Sequence, residues 1–184
     1  MSLYVDPPFA LGQTLGVSSA TDGTGWVGAV KVFPDVDPDT GAIRSNRLKK
    51  CIAVRNASGV SLLPKRTVVF KSGSLSEVDG YNADTGVPVA GVVDEHLPAS
   101  GVASNDVFWI TVEGPTEVKL GPAHEAAAGT TLVALTAATS TVSTTAGQAQ
   151  TAANTWLPVH YIGRALSAGT TGQDVLAVVN LVRS

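Results

Sequence analysis

Cysteine occurs once in the 184 residues, at Cys51. A single thiol excludes an internal disulfide framework and any cysteine-rich zinc site. Charge is scarce too: 15% of residues are Asp, Glu, Lys or Arg, against about 25% in ordinary globular chains. With 44% apolar residues, disorder throughout is nonetheless excluded. No run approaches the roughly 20 apolar residues that a membrane-spanning helix needs. The opening Met1-Ser-Leu-Tyr-Val-Asp-Pro-Pro8 has neither a basic nor an apolar signal region. The chain therefore reads as soluble and unprocessed, with no membrane partner. Low charge density also predicts surface covered by something other than water, a reason to expect assembly.

Turn formers are plentiful, with 19 Gly and 10 Pro. A chain of this length buries roughly 70% of its unfolded surface, enough for one domain without a metal or disulfide staple. Residues 1–50 carry Pro7, Pro8, Pro34 and Pro38 among scattered glycines. They read as an extended arm with one short strand inside Trp26–Phe33; a free tail is the alternative. From Cys51 onward the pattern is β. Candidate strands are Cys51–Asn56, Arg66–Lys71, Val87–Val93, Val107–Glu113, Thr116–Leu120, Thr130–Leu135, Trp156–Ile162 and Val175–Val182. All are rich in β-branched and aromatic residues and are separated by Gly, Pro, Asn or Asp. Phe108, Ile110 and Val112 alternate with Trp109, Thr111 and Glu113, which marks a two-faced strand. The best helical segment, Pro122–Gly129, is only one or two turns long. The expected fold is all-β, a small barrel or sandwich over residues 51–184 with an N-terminal arm. Residues 126–163 hold no Asp, Glu, Lys or Arg. Their Ala/Thr/Ser-rich middle, about 136–155, reads as a long loop or loose hairpin.

Charge is segregated along the chain. Arg44, Arg47, Lys49, Lys50, Arg55, Lys65, Arg66 and Lys71 fall between Thr40 and Ser76 with no acid among them. That segment is +8 and the remainder is -11. It is either a solvated basic face or a docking surface for an acidic partner.

No catalytic constellation emerges. Gly23-Thr-Gly25-Trp-Val-Gly28 has the spacing of a dinucleotide loop, but neither the preceding strand nor the following helix. A strand-entry turn is the better reading. Asp35-Val-Asp37-Pro-Asp39-Thr-Gly41 resembles the start of a calcium loop. Thr40 and Asn46 stand where glycine and a bidentate glutamate are needed, so a turn is favoured. His96, His124 and His160 lack second ligands at zinc spacing. Asp94-Glu95-His96 reads as a solvated turn after a strand. No Gly-x-Ser-x-Gly elbow is present. Cys51 sits among bases, which lowers a thiol pKa when exposed; a buried core thiol is the default. Asn56-Ala-Ser58 is a glycosylation sequon, without consequence in a chain that is not secreted. The basic segment has one aromatic, Phe70, hence no stacking platform for nucleic acid. Neither a cofactor nor a metal is expected.

The order of the strand motifs is more informative than any site. Asn56-Ala-Ser-Gly59 precedes Leu62-Leu-Pro-Lys-Arg-Thr-Val-Val69, then Val89-Ala-Gly-Val-Val93 and Phe108-Trp-Ile-Thr-Val-Glu-Gly114. Ala128-Gly-Thr-Thr-Leu132, Ile162-Gly-Arg-Ala-Leu166 and Val175–Val182 complete the series. This succession resembles the small capsid decoration (cement) proteins of tailed bacteriophages, over about two thirds of the chain. The resemblance implies a non-enzymatic β-barrel on the outer surface of the phage head, made in the host cytoplasm and commonly trimeric. It implies bridging of major capsid protein subunits, which stabilises the shell. A head-fibre base or a tail or baseplate attachment module is the alternative. Residues expected at capsid or subunit contacts are Trp26, Phe33, Arg44 and Arg47. Trp109, Trp156 and Tyr161 are expected in the core or in subunit packing, since aromatics and arginine dominate interfaces.

Overall fold

The computed structural model describes residues 7, 9–16, 23–80, 88–121, 124–134, 149–151 and 161–181. After a one-turn 3-10 helix, Gly23–Trp26, the described residues form ten strands. They are β1 (Val30–Val36), β2 (Ile43–Asn56), β3 (Thr67–Phe70), β4 (Glu77–Gly80) and β5 (Val89–Val93). The others are β6 (Val107–Lys119), β7 (Thr131–Ala134), β8 (Ala149–Thr151), β9 (Tyr161–Ala165) and β10 (Asp174–Asn180). The fold is all-β, as its composition predicts.

The strand order is β1-β2-β4-β3-β5-β6-β10-β9-β7-β8, and β2 also pairs with β6. That extra pairing closes β2, β4, β3, β5 and β6 into a ring, with β1 attached outside it and β10-β9-β7-β8 extending as a wing. Ring closure satisfies the main-chain groups that an open sheet leaves unpaired. Ile52, Val54, Val68, Val78, Phe108 and Ile110 pack inside the ring. A second core, built on Val118, Leu120, Leu132, Ile162, Val175 and Val179, joins wing to ring.

β6 is one strand where the sequence predicts two. Its first half pairs with β2 and its second half with β10, and the changeover lies at Gly114. Gly114 has φ +101°, and a Cβ there would overlap the Leu48 carbonyl. Only glycine lets the strand turn from ring to wing at this point. Other boundaries shift as well. β2 begins at Ile43 and runs across the expected arm boundary at residue 50. The strand expected within Trp26–Phe33 begins at Val30, after the 3-10 turn. β4 was not predicted; Glu-Val-Asp-Gly is short and carries two acids. Within Pro122–Gly129 the described residues are not helical, and Ala126 instead bridges Gly169. β8 pairs with β7, giving the Ala/Thr/Ser-rich stretch one hairpin-like contact; residues 135–148 and 152–160 lie outside the described set.

Candidate functional site

Three features stand out: a strap, a buried charge cluster and an exposed hairpin face. The strap is residues 9–16, which lie along the outside of β6. The Phe9 ring stacks on Trp109 at 4.5 Å, and Trp109 Nε1 donates to the Phe9 carbonyl at 3.3 Å. The Gly12 amide donates to Asp94 Oδ2 at 2.6 Å, and Leu15 exchanges two 2.8 Å backbone bonds with Val107. Phe33 closes the cluster edge-on to Trp109 at 5.4 Å, above Cys51 and Ala53. Burial pushes the Cys51 thiol up to about 12, outweighing the Thr111 hydroxyl that opposes it.

The charge cluster lies between β1, β2, β6, β10 and the turn after β5. Arg44 reaches Asp35 at 2.8 Å, Glu95 at 2.6 Å and Glu117 at 3.4 Å. Lys49, itself buried, also pairs with Glu95. Glu95 Oε2 accepts from the Glu117 amide at 2.9 Å. Lys65 extends the chain to Glu117 at 2.6 Å and Asp174 at 2.7 Å, and Lys119 meets Asp174 at 3.2 Å. Four carboxylates thus face four cations. Burial works against the Asp174 charge, but Lys65 and Lys119 outweigh it and hold its pKa below the usual carboxylate range. An open cleft of about 370 Å³ borders the cluster, lined in part by Leu63, His96, Lys119 and Asp174. The ions partner one another; no nucleophile with an adjacent base appears among them.

This cluster corrects one expectation. Asp94-Glu95-His96 is not a solvated turn: Asp94 and Glu95 are buried. Sequence proximity hid their partners, which come from residues 12, 44, 49 and 117. The absence of acids between Thr40 and Ser76 was the available signal, because cations buried in a sheet require acids from elsewhere. Asn56 is likewise buried rather than presented for a glycan. Its amide donates to the Val60, Val102 and Ala103 carbonyls and its oxygen accepts from Ser58. Of the Asp35–Gly41 stretch, Asp35 and Val36 end β1 and the rest is a turn in which the Thr40 amide and hydroxyl hold the Asp37 pKa below the ordinary carboxylate value.

The third feature is the β1–β2 hairpin. On β2 the even-numbered side chains Ile52 and Val54 point into the ring core. The same face continues beyond the ring as Val30, Val32, Pro34 and Leu48, with Ile43 at its far end. There it meets solvent: Val30 is 41% exposed, Val32 52%, Leu48 62% and Ile43 71%. Lys50, across from Val32, shares this face, and Arg47 alternates to the other face of β2; both are exposed and without an ion-pair partner among the described residues.

The expected contact residues are therefore dispersed. Phe33 is buried and Arg44 is enclosed in the charge cluster, Trp26 is half-buried beside the Trp109 group, and Arg47 is exposed on the hairpin. Trp109 is fully buried, Tyr161 is half-buried on β9, and Trp156 lies outside the described residues.

No protein-family model matches the chain, and neither does any curated protein. Among solved structures it is similar to a chain of the capsid of the myovirus phage XM1. The TM-score is 0.56 at 16% identity, over 80% of this chain and 92% of that one. It also matches the N base of the head fibre gp8.5 of bacteriophage phi29. There the TM-score is 0.41 at 14% identity, over 73% of this chain and 98% of that one. The XM1 match shows a shared fold.

Proposed function

We propose that the protein is a structural component of a tailed-phage virion. It binds the outer surface of the head and stabilises the shell by bridging major capsid subunits. The observation that carries this reading is the fold shared with a chain of the XM1 capsid over most of both lengths. Two features of the molecule support it. Its charged groups are arranged as an internal brace rather than a reaction centre, and a large apolar stripe projects from one edge. Bridging works by avidity: once one copy or one contact is seated, the next binds at high local concentration. A homotrimer, the assembly the sequence resemblance implies, multiplies that effect.

The test is the copy number in purified particles, measured by quantitative mass spectrometry together with head stability to heating. Stoichiometry in proportion to the major capsid protein, with heads that rupture earlier when the protein is stripped, is the expected result. A copy number of one small ring per particle would assign the protein instead to a tail or fibre base. Absence from particles would overturn the reading altogether.

A further inference from the structure

β1 is an end strand, and among the described residues its outer edge pairs with nothing. Its backbone polarity follows from the ladder. The Ala53 amide donates to the Ala29 carbonyl at 2.9 Å. Hydrogen-bonded pairs alternate along an antiparallel ladder, so Lys31–Cys51 and Phe33–Lys49 are bonded pairs in this register. The peptide groups of Val30, Val32 and Pro34 consequently face away from β2. Pro34 is tolerated for this reason, since the N–H it lacks would have pointed outward.

Natural edge strands are commonly blunted by proline, bulges, charge or a covering loop, and Pro34 with the register shifts after it does this toward the hairpin tip. Among the described residues β1 still presents two unpaired donors, at Val30 and Val32, beside exposed valine side chains. The neighbouring strand adds Leu48, across from Pro34, and Lys50, across from Val32. Glu113 lies opposite Lys50, but on β6, on the side away from β1. The hairpin's own acids at its tip are the half-buried Asp37 and the exposed Asp39. Beside the free edge, the flank away from the tip is therefore apolar and cationic.

We propose that this edge takes an extended strand from another protein, with apolar side chains over Val30, Val32 and Leu48 and a carboxylate directed at Lys50. Main-chain hydrogen bonds supply the attachment and the alternating side chains supply the choice of partner. A second copy is disfavoured as occupant, because antiparallel edge pairing about Val32 sets Pro34, which has no N–H to donate, opposite Val30 of the mate and brings two Lys50 side chains to one face. The proposal deepens the capsid-binding reading by naming the surface and the chemistry it recognises.

Two short synthetic peptides test it, both placing valines on one face of the extended chain, one with a glutamate among them on that same face and one with a lysine there, titrated into the isotope-labelled full chain by NMR. The glutamate peptide is expected to shift the amides of residues 30–36 and 48–50 and to slow hydrogen exchange at Val30 and Val32. The lysine peptide is expected to bind more weakly by about tenfold or more. Val32→Pro removes one outward donor at a position of the same kind as Pro34, and is expected to weaken binding by about tenfold. Lys50→Glu is expected to reverse the preference between the peptides. Equal affinity for both peptides, or shifts confined to other surfaces, overturns the proposal. So does self-association that Val32→Pro abolishes, which would make a second copy the occupant. Particle association is measured separately on the same variants. Peptide binding without association with heads sinks the capsid reading alone; association undisturbed by Val32→Pro and Lys50→Glu sinks the edge proposal alone.

Discussion

Glu95 accepts from Lys49, Arg44 and the Glu117 amide at once, with its side chain wholly buried. Removing one partner of such a group leaves opposite charge stranded in the interior, which costs about 3–5 kcal/mol. Glu95→Ala is therefore expected to destabilise the fold by that amount in urea unfolding, and Lys49→Met/Glu95→Gln to recover much of the loss. The cluster also sets the acid response. Asp174 has a lowered folded-state pKa, so it contributes stability above its unfolded value that is lost as pH falls through the folded one. Asp94 acts in the opposite sense: burial raises it, against the Gly12 and His96 amides, so its ionised form costs stability that protonation restores. Asp174→Asn is expected to flatten the loss of stability on the acid side of the ordinary carboxylate range, read from unfolding midpoints against pH. Cys51 provides a plainer check. A thiol raised to about 12 under the strap is expected to resist a thiol reagent at neutral pH and to react on unfolding. Rapid labelling of the folded chain would show that the strap does not cover it.

At the scale of elements, periodicity and composition made most strands legible, though not β4 or the first half of β2. Alternation located β6, and β-branched runs located β3, β5, β7 and β10. What sequence could not show was partnership. β2 is apolar only in its second half; its first half, Ile43–Lys50, looks like a polar arm because its cations meet acids from distant segments. The strap was hidden for a related reason. Phe9-Ala-Leu-Gly-Gln-Thr-Leu15 has no strand pattern of its own and is held by Trp109, Asp94 and Val107. The buried charge cluster was invisible for the same reason, since its members are scattered from Asp35 to Asp174. Cutting the chain after residue 50 would leave the Cys51–Arg55 pairing that closes the ring but remove β1 and half of β2, and with them Arg44 and Lys49, stranding Glu95 without its cations. A functional arm is better tested by Phe9→Ala, which empties a buried aromatic site at a cost of about 3 kcal/mol. Its expected signature is a lower unfolding midpoint together with red-shifted tryptophan emission as Trp109 gains water. An unchanged midpoint would mean that the strap contributes little to the fold.

Across the whole molecule, the basic segment divides into internal and external charge. Arg44, Lys49, Arg55 and Lys65 face Glu95, Glu77, Glu117 and Asp174, and so hold strands together. Arg47 and Lys50 remain outside, exposed on the β1–β2 hairpin. This division predicts two opposite phenotypes from the same kind of substitution. Reversing Arg44 places a third carboxylate against Asp35 and Glu95 and is expected to unfold the protein or lower its stability by several kcal/mol, on the order of a broken buried pair. Reversing Arg47 and Lys50 together touches no internal partner and is expected to change stability by no more than about 0.5 kcal/mol, as for ordinary surface sites. The same pair of changes is expected to weaken attachment to heads and to remove its salt dependence, because exposed charges are screened beyond about 8–10 Å at physiological ionic strength. Sedimentation of heads with wild-type and doubly reversed protein across a salt series reads both quantities. Equal retention and equal salt slopes would show that attachment relies on some other surface, and that the charge left outside the fold has no part in it.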